Sequence, residues 1–409
     1  MSGRQPTAGP SRIKHHQPTS TQAPPPPSCL SSFSPSRTQY ALAQPVLGSA
    51  DKVTVWDVAS DRVLAEYEIE QAGRVSALCW TSISGSARKS SKRRKKSGSD
   101  EEADDVVLIA TKSAHLVVYS PRKSQALRTL KLSATATAMW ADDNGVVAAT
   151  SNSVVHLSPD VSSISHTFTL PPNTPSPTAI TTLASSTADT LHVLVGSQQV
   201  TSLHLELATS TISYSSSPLP VSTSSVTSLT PLSQTSQGAS FLVVSEDDRT
   251  VSQYTIPSPT KAPKLSYRYA SPTLSPAHSV SLSSTLLSVL HQSGEVSIFT
   301  LPTELDFARP KSDSKPSTLK LVEGKAEQVS RLARIEFAPS ESDDEPGALL
   351  CGRMVGAGRL KWHRAVFEQP EGGVRPATVV KCEAQDLIGK TNGSVSSHSS
   401  PLYWSTVLD

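Results

Sequence analysis

The sequence predicts an all-β fold, a seven-bladed WD-repeat-like β-propeller. A strand–turn–strand pattern recurs seven times, its period matches four-stranded blades, and the apolar residues suit short strands. The second strand of each hairpin reads at 53–57, 115–119, 154–157, 200–205, 250–254, 295–299 and 359–363. For six of the seven the clearest first strand lies just upstream, at 105–110, 145–150, 191–196, 241–245, 286–290 and 348–351. Short runs at 29–33, 75–80, 135–140, 179–183, 225–229, 279–282 and 333–337 open successive blades.

The period comes from aligning Trp56, Tyr119, Leu157, Leu205, Tyr254, Phe299 and Trp362, which fall roughly forty to fifty residues apart. Two intervals are longer, and each holds a polar insertion, at about 84–104 and about 309–324. Surface loops accept such insertions because closure entropy grows slowly with length. A pair of β-sandwiches also has short strands at regular spacing. The constant phase along the whole chain favours the propeller.

Composition fits one domain of lean core. Of the 409 residues, 36% are hydrophobic and 5% aromatic, so the interior must come from Leu and β-branched side chains. Modest stability follows. The propeller is expected over residues 29–383, after a disordered Pro/Ser-rich leader at 1–28 and before a flexible tail at 384–409. The leader has no apolar stretch of the kind a signal peptide needs, and no apolar run approaches a bilayer span.

With 37 basic and 35 acidic side chains the net charge is +2, so no overall field recruits nucleic acid or membrane. Cys29, Cys79, Cys351 and Cys382 are far apart, with no metal-ligand spacing, and read as free thiols of a reducing compartment. No cofactor or metal is implied.

The sharpest local signal is Lys92-Arg93-Arg94-Lys95-Lys96, followed by Asp100-Glu101-Glu102 and Asp104-Asp105. A basic block in a Ser/Gly loop reads as a nuclear-import signal; a solvated charge run is the competing reading. Ser97 and Ser99 stand between the two charge blocks as candidate phosphosites, where added negative charge would mask the cations. The same block could touch RNA phosphates, but without interleaved aromatics such contact is peripheral and salt-sensitive.

Trp56-Asp57 ends a predicted strand as a WD-repeat signature does, and its place in the repeat gives the dipeptide value. The other blades keep a large residue there and lose the Asp, so the repeat is degenerate. Gly352, Gly356 and Gly358 read as hairpin-turn glycines, since no P-loop Lys follows. His115, His156, His204 and His363 read as strand-surface histidines. No Ser/His/Asp order, carboxylate pair or metal motif gives catalysis positive support, although such sites assemble in three dimensions. Val55 and Val117 are expected to pack between neighbouring blades.

Residues 33–35, 40–43, 51–57, 64–67 and 75–80 resemble the start of a nucleolar WD-repeat family of the small-subunit processome, and residues 358–368 resemble its last blade. The resemblance implies a subunit of the early t-UTP/UtpA subcomplex, which joins nascent pre-ribosomal RNA and supports rRNA transcription. Members couple a propeller to a C-terminal Utp12-type helical domain; this chain corresponds to the propeller part without it. The function so implied is a non-catalytic scaffold of the nucleus and nucleolus. It would bind other processome WD-repeat proteins, with peripheral pre-rRNA contact and neither membrane nor small-molecule substrate. The alternative is a generic WD-repeat adaptor, such as a ubiquitin-ligase receptor or part of a chromatin assembly.

Overall fold

The computed structural model describes residues 30–301 apart from gaps, the widest at 84–103, together with 317–320, 334–338, 348–355, 359–368 and 378–387. These residues form seven four-stranded antiparallel sheets, each an up-and-down meander of consecutive strands. The first contains β1 (Ser31–Phe33), β2 (Gln39–Gln44), β3 (Lys52–Asp57) and β4 (Arg62–Glu68). The second contains β5 (Val75–Ile83), β6 (Asp104–Thr111), β7 (His115–Ser120) and β8 (Gln125–Lys131). The third contains β9 (Ala136–Asp142), β10 (Gly145–Thr150), β11 (Ser153–Leu157) and β12 (Ile164–Thr169).

The fourth sheet is β13 (Ala179–Leu183), β14 (Thr190–Gly196), β15 (Gln199–Glu206) and β16 (Thr211–Pro218). The fifth is β17 (Val226–Thr235), β18 (Gly238–Ser245), β19 (Thr250–Ile256) and β20 (Lys264–Ala270). The sixth is β21 (Ala277–Leu282), β22 (Leu286–His291), β23 (Glu295–Thr300) and β24 (Ser317–Lys320). The seventh is β25 (Arg334–Ala338), β26 (Ala348–Val355), β27 (Arg359–Glu368) and β28 (Thr378–Leu387). Six sheets carry described side chains across their central strands, whereas in the seventh only residues 334–337 do.

The first strands of consecutive sheets abut, from β1 and β5 round to β21 and β25, and β25 also meets β1. The sheets thus stand side by side about an axis as the blades of a β-propeller. Side-chain alternation explains the packing, because successive residues of a strand point to opposite faces. Val107 and Ile109 of β6 join Val53 and Val55 between the first and second sheets. Their neighbours Val106 and Leu108 instead join Val146 and Val155 between the second and third. Val193 and Leu203 meet Val147 and Val154 of the third sheet, while Leu194 and Val200 meet Phe241 and Tyr254 of the fifth. A central strand buried on both faces therefore reads as a continuous apolar run, whereas rim strands such as β16 do not.

The residues aligned by the repeat occupy equivalent places. Trp56 pairs across the sheet with Tyr40, Tyr119 with Val107, Leu157 with Val146 and Leu205 with Leu191. Tyr254 with Phe241, Phe299 with Leu287 and Trp362 with Gly352 complete the series. Between these third strands and the rim strands, the register slips by one residue at Val55/Trp56, Val118/Tyr119, His156/Leu157 and Gln253/Tyr254. The bulge belongs to the repeat.

Several expectations need correction. The insertion expected at about 84–104 lies outside the described residues except for Asp104, which opens β6. The insertion expected at 309–324 contains the rim strand β24, which needs no apolar run because it lies at a sheet edge. Strand β28 continues past 383, to Leu387. Gly352 is not a turn residue: it sits within β26, opposite Arg334 and Trp362.

Candidate functional site

The inner strands enclose a cavity of about 440 Å3 along the axis, lined by residues of β1, β9, β13, β17, β21 and β25 and by Arg37. Most of its lining is apolar or hydroxylic; Arg37, Arg334 and Glu336 bring charge where the seventh sheet meets its neighbours, and Glu246 adds one beside the fifth sheet. Arg37, in the β1–β2 turn and in the left-handed region at φ 57°, donates from Nε to Glu336 Oε1 at 3.0 Å. Burial pushes the Glu336 carboxyl above its ordinary range, opposed by the Arg37 guanidinium and by a hydrogen bond from Ser281. On the same strand, Arg334 Nη1 lies 3.4 Å from His278 Nε2 of β21.

Hydroxyl groups and one indole join neighbouring sheets near the axis. The Ile335 and Phe337 amides donate to Ser279 Oγ at 3.3 Å and Ser281 Oγ at 3.0 Å, closing the seam between β25 and β21. Trp80 Nε1 donates to the Ser32 carbonyl at 2.9 Å, and Thr178 Oγ1 to the Val226 carbonyl at 2.6 Å. An inner strand has no ladder partner on its axial side, so these bonds satisfy main-chain groups that burial would leave costly.

The connections divide between two faces. On one lie the turns joining first to second and third to fourth strands, and there β5 leaves at Ile83 and β6 returns at Asp104. Both acids at this return are held: Asp105 accepts from Ser36 at 3.0 Å and Ser82 at 2.5 Å, and Asp104 from Ser120 at 3.1 Å. On the opposite face, Asp51 meets Arg74 Nη1 at 2.6 Å and accepts from the Val75 amide at 2.8 Å. That carboxylate fixes the β2–β3 turn to the start of the second sheet. Asp248 pairs with Arg268 at 2.7 Å and accepts from Thr250, and its carbonyl accepts from the Ala277 amide.

Lys92, Arg93, Arg94, Lys95, Lys96, Ser97 and Ser99 lie outside the described residues. Trp56 is buried against Tyr40 and Leu42, and Asp57 accepts from the Ser60 amide at 2.9 Å, shaping the β3–β4 turn. Both members of the repeat signature thus do structural work. Cys79 is buried and not part of a disulfide.

Of the four histidines read as strand-surface, His115 and His204 are half-buried, the side chain of His363 lies outside the described residues, and His156 differs from the expectation. His156 is buried and stacked on His166 with centroids 6.0 Å apart, and His192 and His291 are buried as well. His192 Nε2 lies 2.7 Å from Ser202 Oγ, and His291 Nε2 lies 3.2 Å from Ser297 Oγ. Nucleophile–base distances are met, but both serines are 0% exposed between sheets, so neither pair is open to substrate. Desolvation lowers the pKa of His192 to about 4, helped by nearby His204, and desolvation also lowers that of His291. Among the described residues no cluster of three or more His, Cys, Asp or Glu could hold a metal ion.

The residues that charge the channel, Arg37, Glu246, Arg334 and Glu336, and the neighbouring His278, carry no sequence signal. They come from turns and inner strands of different sheets that meet only when the sheets are arranged in space.

No family model matches the chain, and no curated protein matches it. The crystal structure of Raptor from Chaetomium thermophilum superposes with a TM-score of 0.52 at 13% identity. The match covers 84% of this chain and 28% of that one, so this chain spans well under a third of Raptor's length. The likeness is one of fold. It supports the propeller architecture and assigns no partner.

Proposed function

We propose that the chain is a non-catalytic scaffold built as one closed seven-bladed ring, working in ribosome biogenesis within the early small-subunit processome. The observation that carries the scaffold reading is the division of the molecule into sheets packed face to face and two faces of connecting turns. Rigid sheets hold the turns in place, and the turns offer varied surfaces to partners. The contact of β25 with β1 and the Arg37–Glu336 bond support ring closure. The buried Ser–His pairs support a non-catalytic role, since their oxygens are covered by neighbouring sheets.

The processome assignment rests on the sequence resemblance at residues 33–80 and 358–368, with the basic block at Lys92–Lys96 acting as import signal. In this reading the protein resides in the nucleus and nucleolus, binds other processome WD-repeat proteins, and touches pre-ribosomal RNA only peripherally. Affinity purification of the tagged chain from nuclear extract tests it. Joint enrichment of processome proteins and the 5′ leader of pre-ribosomal RNA is expected. Recovery of a ubiquitin ligase or a chromatin assembly instead, from a folded nuclear protein, would replace the assignment with the adaptor alternative.

A further inference from the structure

The seven sheets end at the rim in strands whose outer main-chain groups have no ladder partner within their own sheet. Proteins blunt such edges with bulges, charged side chains or very short strands, because an open edge templates pairing with another chain. Six rim strands follow this rule. Register slips bend β4, β8, β12, β20 and β28. Charges add to this on three of the five: Arg62, Glu66 and Glu68 on β4, Arg128 and Lys131 on β8, and Lys264 and Arg268 on β20. Strand β24 is four residues long and carries Lys320.

Strand β16 lacks the bulge, the charges and the shortness, keeping only a terminal proline. It is eight residues long, and all eight pair with β15 without a slip, from Gln199↔Pro218 to Glu206↔Thr211. The bulge that precedes the large repeat residue in four other sheets is missing before Leu205. Its sequence, Thr-Ile-Ser-Tyr-Ser-Ser-Ser-Pro, holds no Asp, Glu, Lys or Arg. Only Pro218, at one end, interrupts the row of amides.

Its side chains suit an occupant. Ile212 and Tyr214 lie opposite Leu205 and Leu203, two residues packed against the third sheet, so both stand on the side facing that sheet. Tyr214 is 54% exposed, and Ile164 on the neighbouring rim strand β12 is 36% exposed. A strand added beside β16 would find Ile212 and Tyr214 at two successive alternate positions along its first half. The hydroxyls of Ser213 and Ser216 keep the edge wettable when it is empty.

We propose that β16 is a strand-addition site, on which an extended segment of a partner protein pairs as the fifth strand of the fourth sheet. The segment is uncharged, free of proline, and apolar at alternate positions. A second copy of the chain fits less well, because pairing two eight-residue edges covers far less than the roughly 1,200–2,000 Å2 of a stable interface between folded proteins. A flexible segment gains main-chain bonds and side-chain contacts together, the usual basis of strand addition. The site is separate from the axial channel and stands whether or not the processome assignment holds.

Hydrogen exchange on the intact chain tests the proposal, with a capped octapeptide of alternating Thr and Val as probe and its fully N-methylated counterpart as control. Saturating probe should slow exchange within 211–217 by about threefold or more, and the N-methylated peptide should leave it unchanged. The variant Ser213→Lys/Tyr214→Lys, altered only at exposed positions, should keep its melting temperature and weaken binding by about tenfold or more. Leu265→Lys on β20 should bind as before. No slowing at 211–217, equal slowing by the N-methylated peptide, or unaltered binding by the double variant would each overturn the proposal. Concentration-dependent dimerisation abolished by that variant would also overturn it, by assigning the edge to a second copy.

Discussion

Replacing Val117 tests whether stability resides between the sheets. The side chain is 5% exposed, in an apolar cluster with Val53, Val55, Val107, Ile109 and Tyr119. Val117→Ala removes two methyl groups, a transfer loss of about 1.6 kcal/mol that a residual cavity raises to about 2 kcal/mol. Val117→Asp places a carboxylate among these apolar side chains. An unpaired buried charge costs several kcal/mol, a large share of the roughly 5–15 kcal/mol that stabilises a domain. The two variants separate loss of packing from introduction of charge.

The assay is urea unfolding followed by tryptophan fluorescence between pH 4 and 8. Val117→Ala should lower the midpoint by a similar amount throughout. Burial raises the folded-state pKa of the new Asp, so its variant is least impaired below the unfolded pKa of about 3.9 and loses stability as pH rises through the raised value. A Val117→Asp protein that unfolds at the wild-type midpoint at neutral pH would refute the placement of this residue between sheets.

Three further expectations follow. Glu336 has a raised folded pKa, so it is best tolerated below its unfolded value near 4.5 and stability falls as pH rises from there through the raised value; Glu336→Gln should remove this part of the thermal-melting pH profile, and an identical profile would exclude the burial. His192 titrates in the folded chain near 4 rather than 6.5, so its contribution is complete above 6.5 and is lost as pH falls towards 4, by at most about 3 kcal/mol; His192→Gln should flatten acid destabilisation in that window when stability is measured by urea titration. Substituting Lys92 to Lys96 with Ala, or Ser97 and Ser99 with Asp, should reduce nuclear accumulation of a fluorescent fusion, and unchanged imaging would reject the import role.

The central hairpins were legible because strands buried on both faces repeat as apolar runs at constant phase, as 105–110 and 115–119 do within β6 and β7. Rim strands were harder to read. In β16 the side chains are mainly hydroxylic, since a sheet edge demands little burial, and such a stretch looks like a loop. The burial of His156 is not legible in the sequence, because no carboxylate or cysteine stands in phase with it. Its surroundings come from the next sheet: His156 lies on the face of β11 that packs towards the fourth sheet, so a spacing search along one strand cannot see its burial. The Arg37–Glu336 bond spans 299 residues and exists only once the chain has travelled round the axis.

The axial bonds from Trp80, Thr178, Ser279 and Ser281 all link a side chain on one sheet to a main-chain group on the next. Their acceptors and donors are atoms that nearly every residue possesses. A sheet can therefore drift in sequence, or be exchanged for a foreign one, as long as a hydroxyl or indole at its boundary still reaches the neighbouring backbone. This modularity lets neighbouring sheets carry unlike surfaces, and it accounts physically for a repeat in which a single Trp-Asp pair survives.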